Sequence, residues 1–388
     1  MTYKEPWSKR HKKVTSGLPY NFSNSFSEPL TTEELIHYSL ERGDRDIVDE
    51  FYTHSLEYTP NGGSRDLREE VAKMYGPETE ADNILIFPGG QVALQTAAYA
   101  VLGNDSHTIV FTPGYQSVQQ APEHALSKIT RIKLNPENNW QIDPVEVEAA
   151  IERNTRYMVI NEPYNPAGTL MKPEIQKKLV EIARKYNIVI LSDEAYRLLE
   201  HDEKDRLPAM TDLYERGISA CTMSKPWGGC GITIGWLALQ DLDLKQRLVD
   251  IQYFGTACPG RASEIQAIMV FRANDIILRK NKAIIQKNLQ LLDQFFVDYA
   301  DFFEWVRPTA STVGFVKFKG PFSSEELGEQ LAVAGISIKP AYVFTQDVSL
   351  YKNYFRIGFG EKSMPKALAQ LVKFIEKNRG SWERVTAS

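Results

Sequence analysis

From about residue 80 the chain alternates short apolar, β-rich runs with stretches of helical periodicity. The runs lie at 84–87, 108–111, 156–160, 188–191, 219–222 and 234–237, and 91–102 and 173–186 read as helices between them. Strand followed by helix, repeated, predicts a mostly parallel sheet covered on both faces. A long amphipathic stretch over 275–299 carries Ile277, Ile284 and Leu291 at seven-residue spacing, which marks the helix leaving this first domain. Beyond it, strand patterns at 312–318, 336–338 and 354–357 mix with helices at 324–334 and 365–377, the signature of a smaller α+β domain. The predicted fold is therefore α/β, with a large domain over 51–285, a small domain over 286–388 and an N-terminal segment, 1–50, joining the small domain.

In open parallel sheets ligands gather at the carboxyl ends of the strands, so the residues just past each run are where chemistry is expected. Gly89, Gly90 and Gln91 follow the first run and open a helix, where successive N–H groups can receive a phosphate, although two glycines serve a bare turn as readily. Tyr115 follows the second run and offers a ring that can stack on a planar group. The third ends in Asn161-Glu162-Pro163-Tyr164-Asn165-Pro166-Ala167-Gly168, a stiff turn rich in amides. Asp193 ends the fourth, and a carboxylate beside so apolar a strand needs a cationic or hydrogen-bonding partner. Thr222-Met223-Ser224-Lys225 closes the fifth, where a desolvated lysine can act as a nucleophilic amine. An amine, a phosphate cradle, an aromatic lid and a buried carboxylate together suit pyridoxal 5'-phosphate.

In order along the chain these residues resemble the fold type I aminotransferases of class I and II, over roughly residues 58–360. Asn165-Pro166-Ala167-Gly168 resembles the family's NPxG turn, implying that the Asn165 amide meets the cofactor's ring hydroxyl and helps to bind substrate. Asp193-Glu194-Ala195-Tyr196 resembles the DExY segment, implying that Asp193 pairs with the pyridinium nitrogen and that Tyr196 also reaches the ring hydroxyl. Ser224-Lys225 resembles the Schiff-base pair, with Lys225 then moving the α-proton and the Thr222 hydroxyl meeting the phosphate. The resemblance further makes Gly89, Gly90 and Gln91 the phosphate cradle and Tyr115 the stacking ring. It makes Tyr58 the residue that reaches the phosphate of a neighbouring subunit, which implies a homodimer with shared active sites. Arg356, in Tyr354-Phe355-Arg356-Ile357-Gly358, becomes the clamp for the substrate α-carboxylate, a role that a planar bidentate guanidinium suits.

One position departs from the pattern. The family commonly has an arginine eight residues after the lysine, and Thr233 stands there. Losing that charge-assisted pair weakens the hold on a phosphate unless another cation replaces it, and Arg261 is the candidate. The departure also leaves the reaction open. The expected activity is amino-group transfer from an L-amino acid. The alternative is elimination or cyclisation, as in the enzymes that form capreomycidine-like or enduracididine-like products. A third reading, a non-catalytic regulator with this fold, runs against the retention of Lys225, Asp193, Asn165, Tyr196 and Arg356. The segment 16–25, rich in Gly, Pro, Ser and Asn, is a further candidate for covering the site and shaping specificity.

Composition narrows the remaining classes. Forty-five Lys and Arg against 50 Asp and Glu give a net charge of −5, so no broad basic surface awaits nucleic acid. No apolar run approaches membrane-spanning length, and the charged N-terminal residues lack the core of a secretory signal, which leads to a cytoplasmic expectation. Three cysteines, Cys221, Cys230 and Cys258, without paired spacing point to neither a disulfide framework nor a metal site.

Overall fold

A computed structural model describes residues 6–386, with side chains through residue 383. After a short strand β1 (Tyr20–Asn21) come seven strands of one sheet: β2 (Ile84–Phe87), β3 (His107–Thr112), β4 (Lys128–Lys133), β5 (Thr155–Asn161), β6 (Val189–Asp193), β7 (Gly217–Thr222) and β8 (Gly235–Leu239). Their order is β2-β8-β7-β6-β5-β3-β4. All neighbours are parallel except β8, which runs against both β2 and β7. The carboxyl ends of the other six strands therefore share one edge, and the amino end of β8 joins them there.

Alternation along the strands feeds two cores. Met158, Ile160 and Ile190 point into one cluster with Leu179 and Ala183 of the helix Pro173–Tyr186, whereas Tyr157, Val159, Val189 and Leu191 point into the other with Ala93 and Ala97 of the helix Gly90–Val101. Both faces are covered, as the apolar runs predict. β4 is an edge strand whose lysines are exposed.

The second sheet contains β9 (Phe303–Trp305), β10 (Val313–Phe318), β12 (Lys339–Pro340) and β13 (Tyr354–Gly358) in the order β12-β13-β10-β9, all antiparallel. Between β10 and β12, β11 (Ile336–Ser337) pairs in parallel with β1, which ties the N-terminal segment to this sheet. The helix Asn274–Asp298 links the two halves: Ile277 packs with the large sheet, and Ile285, Leu289 and Leu292 pack with the small one.

The N-terminal segment does not join the small domain throughout. The helices Thr32–Glu41 and Arg45–Thr53 bury Leu35, Ile47 and Val48 with Ile86, Trp236 and Ile268, because their apolar stripes face the helix Arg261–Arg272 of the large domain. Only the part up to about residue 25 follows the small sheet. Among the described residues no helix is long and apolar enough to cross a membrane, and no cluster of metal-ligating side chains occurs.

Candidate active site

The shared edge of the large sheet gathers what the sequence distributes over more than 130 residues. The Asn161 side chain accepts from the Asn165 backbone N–H at 2.8 Å and donates to the Asp193 carbonyl at 2.8 Å, which locks the turn after β5 against the end of β6. Arg356, 2% exposed on β13, donates through Nη1 to Asn165 Oδ1 at 3.0 Å and through Nη2 to the Ser23 carbonyl at 2.7 Å. Among the described residues its Nε has no hydrogen-bond partner, and its guanidinium lies over the Phe344 ring at 5.1 Å. Occupying Asn165 Oδ1 in this way leaves the amide nitrogen of Asn165 to serve as a donor. On the far side, Lys225 Nζ donates to Ser25 Oγ at 3.1 Å, and the Lys225 carbonyl accepts from the Ser27 N–H at 3.0 Å.

Burial sets the protonation of this group. It raises the Asp193 pKa to about 6, against the pull of the Ala195 N–H and of Lys225. It lowers Lys225 to about 8, helped by the nearby Arg356 charge and opposed by Cys230 and Asp193. Tyr196, buried with its hydroxyl near Ser25, is pushed up to about 12 by burial, with Arg356 and the Ser25 hydroxyl opposing the rise. Perturbed acids and bases concentrated in one cleft are the mark of a reactive centre.

The parts fit pyridoxal 5'-phosphate. The backbone at Gly89 and Gly90 presses against the start of β8, where a Cβ on Gly235 would stand 2.4 Å from the Gly90 nitrogen. A Cβ on Gly90 would stand 3.2 Å from Thr222 Cβ, so the bare backbone keeps this corner open. The Thr222 and Ser224 hydroxyls are 3.2 Å apart beside it, and the amino end of the helix Gly90–Val101 supplies N–H groups to an anion. Gln91 hydrogen-bonds the Tyr115 hydroxyl, joining the cradle to the ring expected to stack. The Arg356 Nε donor, without a partner among the described residues, is one that a bound ligand would satisfy.

Three positions stand apart from this group. Thr233, in left-handed backbone at φ 57°, sits at the cradle, but its hydroxyl turns to the Gly231 carbonyl at 3.3 Å. Arg261 is not among the groups gathered at the cradle within this chain: its guanidinium pairs with Glu50 and, at 3.3 Å, with Glu264. Tyr58 is 92% exposed, and its neighbour Thr59 bonds the Pro259 carbonyl at 2.6 Å, so Tyr58 and Arg261 lie on neighbouring segments of one surface. Ser23, Ser25, His11 and Lys339 were not singled out by sequence. The polar stretch 16–25 was the only signal pointing toward the two serines.

A family model described as aminotransferase class I and II matches residues 53–374. Aspartate aminotransferase of Pyrococcus horikoshii is 34% identical over 203 residues, a stretch spanning 51% of this chain and 51% of that one. Capreomycidine synthase of Streptomyces vinaceus is 26% identical over 301 residues, covering 77% of this chain and 75% of that protein. A solved structure of a PLP-dependent aminotransferase from Streptococcus suis matches with a TM-score of 0.89 at 26% identity, covering 97% of this chain and 99% of that one.

Proposed function

The chain belongs to the class I and II aminotransferases, and from that premise we propose that it transfers the amino group of an L-amino acid to an oxo-acid acceptor. Pyridoxal 5'-phosphate is its cofactor; when bound, it supplies a protonated ring that accepts the electron pair of a bond broken at the substrate's α-carbon. The observation that carries the reading is the convergence of the Lys225 amine, the Asp193 carboxyl and the Arg356 guanidinium in one buried cleft.

Each group then has a role that its surroundings support. Arg356 holds the substrate α-carboxylate, with Asn165 fixing the guanidinium plane. The Asp193 carboxylate would keep the proton on the ring nitrogen, and the Tyr196 hydroxyl and Asn165 amide would donate to the ring oxygen. Thr222 and the Gly89–Gly90 backbone receive the phosphate. Lys225 would hold the aldehyde group and would be the base that takes the α-proton on Nζ; a pKa lowered to about 8 makes that amine a competent base near neutral pH. Tyr58 and Arg261, on an exposed face with Leu56 and Phe254, are offered to a second copy of the chain, so that the working unit is a homodimer.

A second reading draws on the likeness to capreomycidine synthase: loss of a side-chain substituent followed by ring closure, with the same residues binding the cofactor. One experiment addresses both. Borohydride reduction of the yellow protein followed by peptide mapping is expected to leave the pyridoxyl label on Lys225, and Lys225→Ala to lower turnover by about a thousandfold or more. Conversion that requires an oxo-acid acceptor supports transfer; product formed with no acceptor present supports the second reading. A label on any other amine overturns both.

A further inference from the structure

The helix Trp7–Thr15 has one buried residue, and that residue is polar: His11, 2% exposed. An inward position on a surface helix is ordinarily apolar, and an imidazole placed there has to be matched by hydrogen-bonding partners. His11 has two. Its Nε2 stands 3.2 Å from Ser23 Oγ and its Nδ1 stands 3.5 Å from the Tyr342 hydroxyl. The helix is itself held in place: the Trp7 N–H donates to Gln116 Oε1 at 2.7 Å, next to Tyr115, and Arg10 pairs with Glu325 while lying 4.6 Å over the Tyr342 ring.

Ser23 is the residue through which His11 reaches the cleft. Its carbonyl accepts from Arg356 Nη2 at 2.7 Å, and its N–H donates to Asn21 Oδ1 at 2.7 Å. With the N–H tied to Asn21 and the hydroxyl to His11, the residue is held on two sides with its carbonyl toward the guanidinium. Ser23 and Asn165 each engage one terminal nitrogen of Arg356, which sets the guanidinium plane and leaves Nε and the remaining hydrogens for an incoming carboxylate. The imidazole suits the place because it brings no charge. Arg356 stands opposite Lys339 in the pair of β12 and β13, and burial, together with the charges of Lys339 and Arg356, lowers the His11 pKa to about 4. A neutral ring holds the Ser23 hydroxyl without setting a third cation beside these two.

We propose that His11 is a positioning residue for the carboxylate clamp: it holds Ser23 so that the Ser23 carbonyl keeps the Arg356 guanidinium turned toward a substrate carboxylate. His11 lies ahead of residues 53–374, the part matched by the family model, so the role belongs to this chain's own N-terminal segment. The inference rests on the assignment of Arg356 to the substrate α-carboxylate made above.

The test treats the holoenzyme with two reagents of the same aminooxy chemistry, aminooxyacetate with a carboxylate and methoxyamine without one, and follows the loss of the yellow absorbance. The parent is expected to respond to aminooxyacetate at the lower concentration, and the ratio of the two isolates the clamp. His11→Phe is expected to cut that preference about tenfold, the scale of one hydrogen bond to a charged group, while leaving the methoxyamine response and the affinity for pyridoxal 5'-phosphate unchanged. His11→Gln, whose amide can still reach the Ser23 hydroxyl, is expected to keep the preference within a few fold. Ser23→Ala removes the hydroxyl but not the carbonyl and is expected to match His11→Phe, so the prediction holds its force even where the aromatic variant does not fold. A preference untouched by the removal of this link, or an equal loss of response to both reagents, overturns the proposal. Arg356→Lys, measured alongside, separates the two assignments. A preference that survives it, or one missing from the parent, defeats the role of Arg356 and that of His11 with it; a preference lost there but kept in His11→Phe and Ser23→Ala defeats the role of His11 alone.

Discussion

At the scale of single residues the site works through depressed and elevated proton affinities. An ordinary lysine amine is almost wholly charged at pH 8, whereas Lys225, with its pKa at about 8, is about half neutral there. Only the neutral amine attacks an aldehyde, so uptake of pyridoxal 5'-phosphate by the cofactor-free protein is expected to quicken with pH and level off above about 8, as followed by the rise of the yellow absorbance. A rate that climbs steadily to pH 10 would show an unperturbed amine. The stability of the cofactor-free protein follows the same proton. Between about 8 and the usual lysine value the unfolded chain keeps a proton that the folded chain has released, so stability rises with pH across that window. Lys225 and Asp193 were singled out in sequence because each ends or closely follows an apolar strand, and Tyr196 and Arg356 because their motifs resemble those of the family. Ser25 and Ser23 were not, since they meet Lys225 and Arg356 across 200 and 333 positions of chain. Lys339 was hidden for another reason: its opposition to Arg356 depends on strand register, which periodicity alone does not fix.

At the scale of elements, the segment from β1 to Leu30 laces the two sheets together. The Phe22 carbonyl accepts from the Gly358 N–H at 2.7 Å, and the N–H groups of Ser27 and Leu30 bond the carbonyls of Lys225 and Gly228 at 3.0 and 3.3 Å. It passes so close to β13 that a Cβ on Gly358 would stand 1.8 Å from the Asn24 carbonyl oxygen. Gly358→Ala is therefore expected to push the segment away from Arg356 and Lys225. The predicted results are a lower urea midpoint, corresponding to about 1–3 kcal/mol, and a KM for amino acids raised about tenfold. Unchanged values on both counts would mean that the segment adapts at no cost. The sheet strands themselves were legible as unbroken apolar runs, because burial on both faces removes polar positions. β4 was not, since an edge strand needs few apolar residues and Lys128–Lys133 carries three basic ones. The helix Trp7–Thr15 escaped for the same reason: only His11 in it is buried.

At the scale of the whole molecule, the long helix Asn274–Asp298 packs against both halves, and a face bearing exposed apolar side chains remains. Leu56, Tyr58, Tyr253 and Phe254 are 94, 92, 60 and 88% exposed, and Gly62 and Gln252 on the same two segments are hydrogen-bonded at 3.0 Å. Apolar side chains grouped in this way favour association. Phe254→Glu is expected to shift the protein from dimer to monomer in sedimentation velocity. A variant that sediments as the parent does would move the interface elsewhere. The two-domain plan was legible from the change of pattern near residue 300, but the allegiance of residues 32–53 was not, because an amphipathic helix shows that it has a buried face without showing which partner buries it.

The lacing segment carries a consequence for biosynthesis. β1 precedes the strand it pairs with, β11, by more than 300 positions of chain, and Ser23 precedes Arg356 by 333, so β1 emerges from the ribosome well before its partners. The segment from β1 to Leu30 must therefore wait, unsatisfied, until the chain has been made at least as far as β13. Closure of the cleft is then a late event of maturation, and a truncated translation product, however well its large sheet has formed, lacks a finished centre.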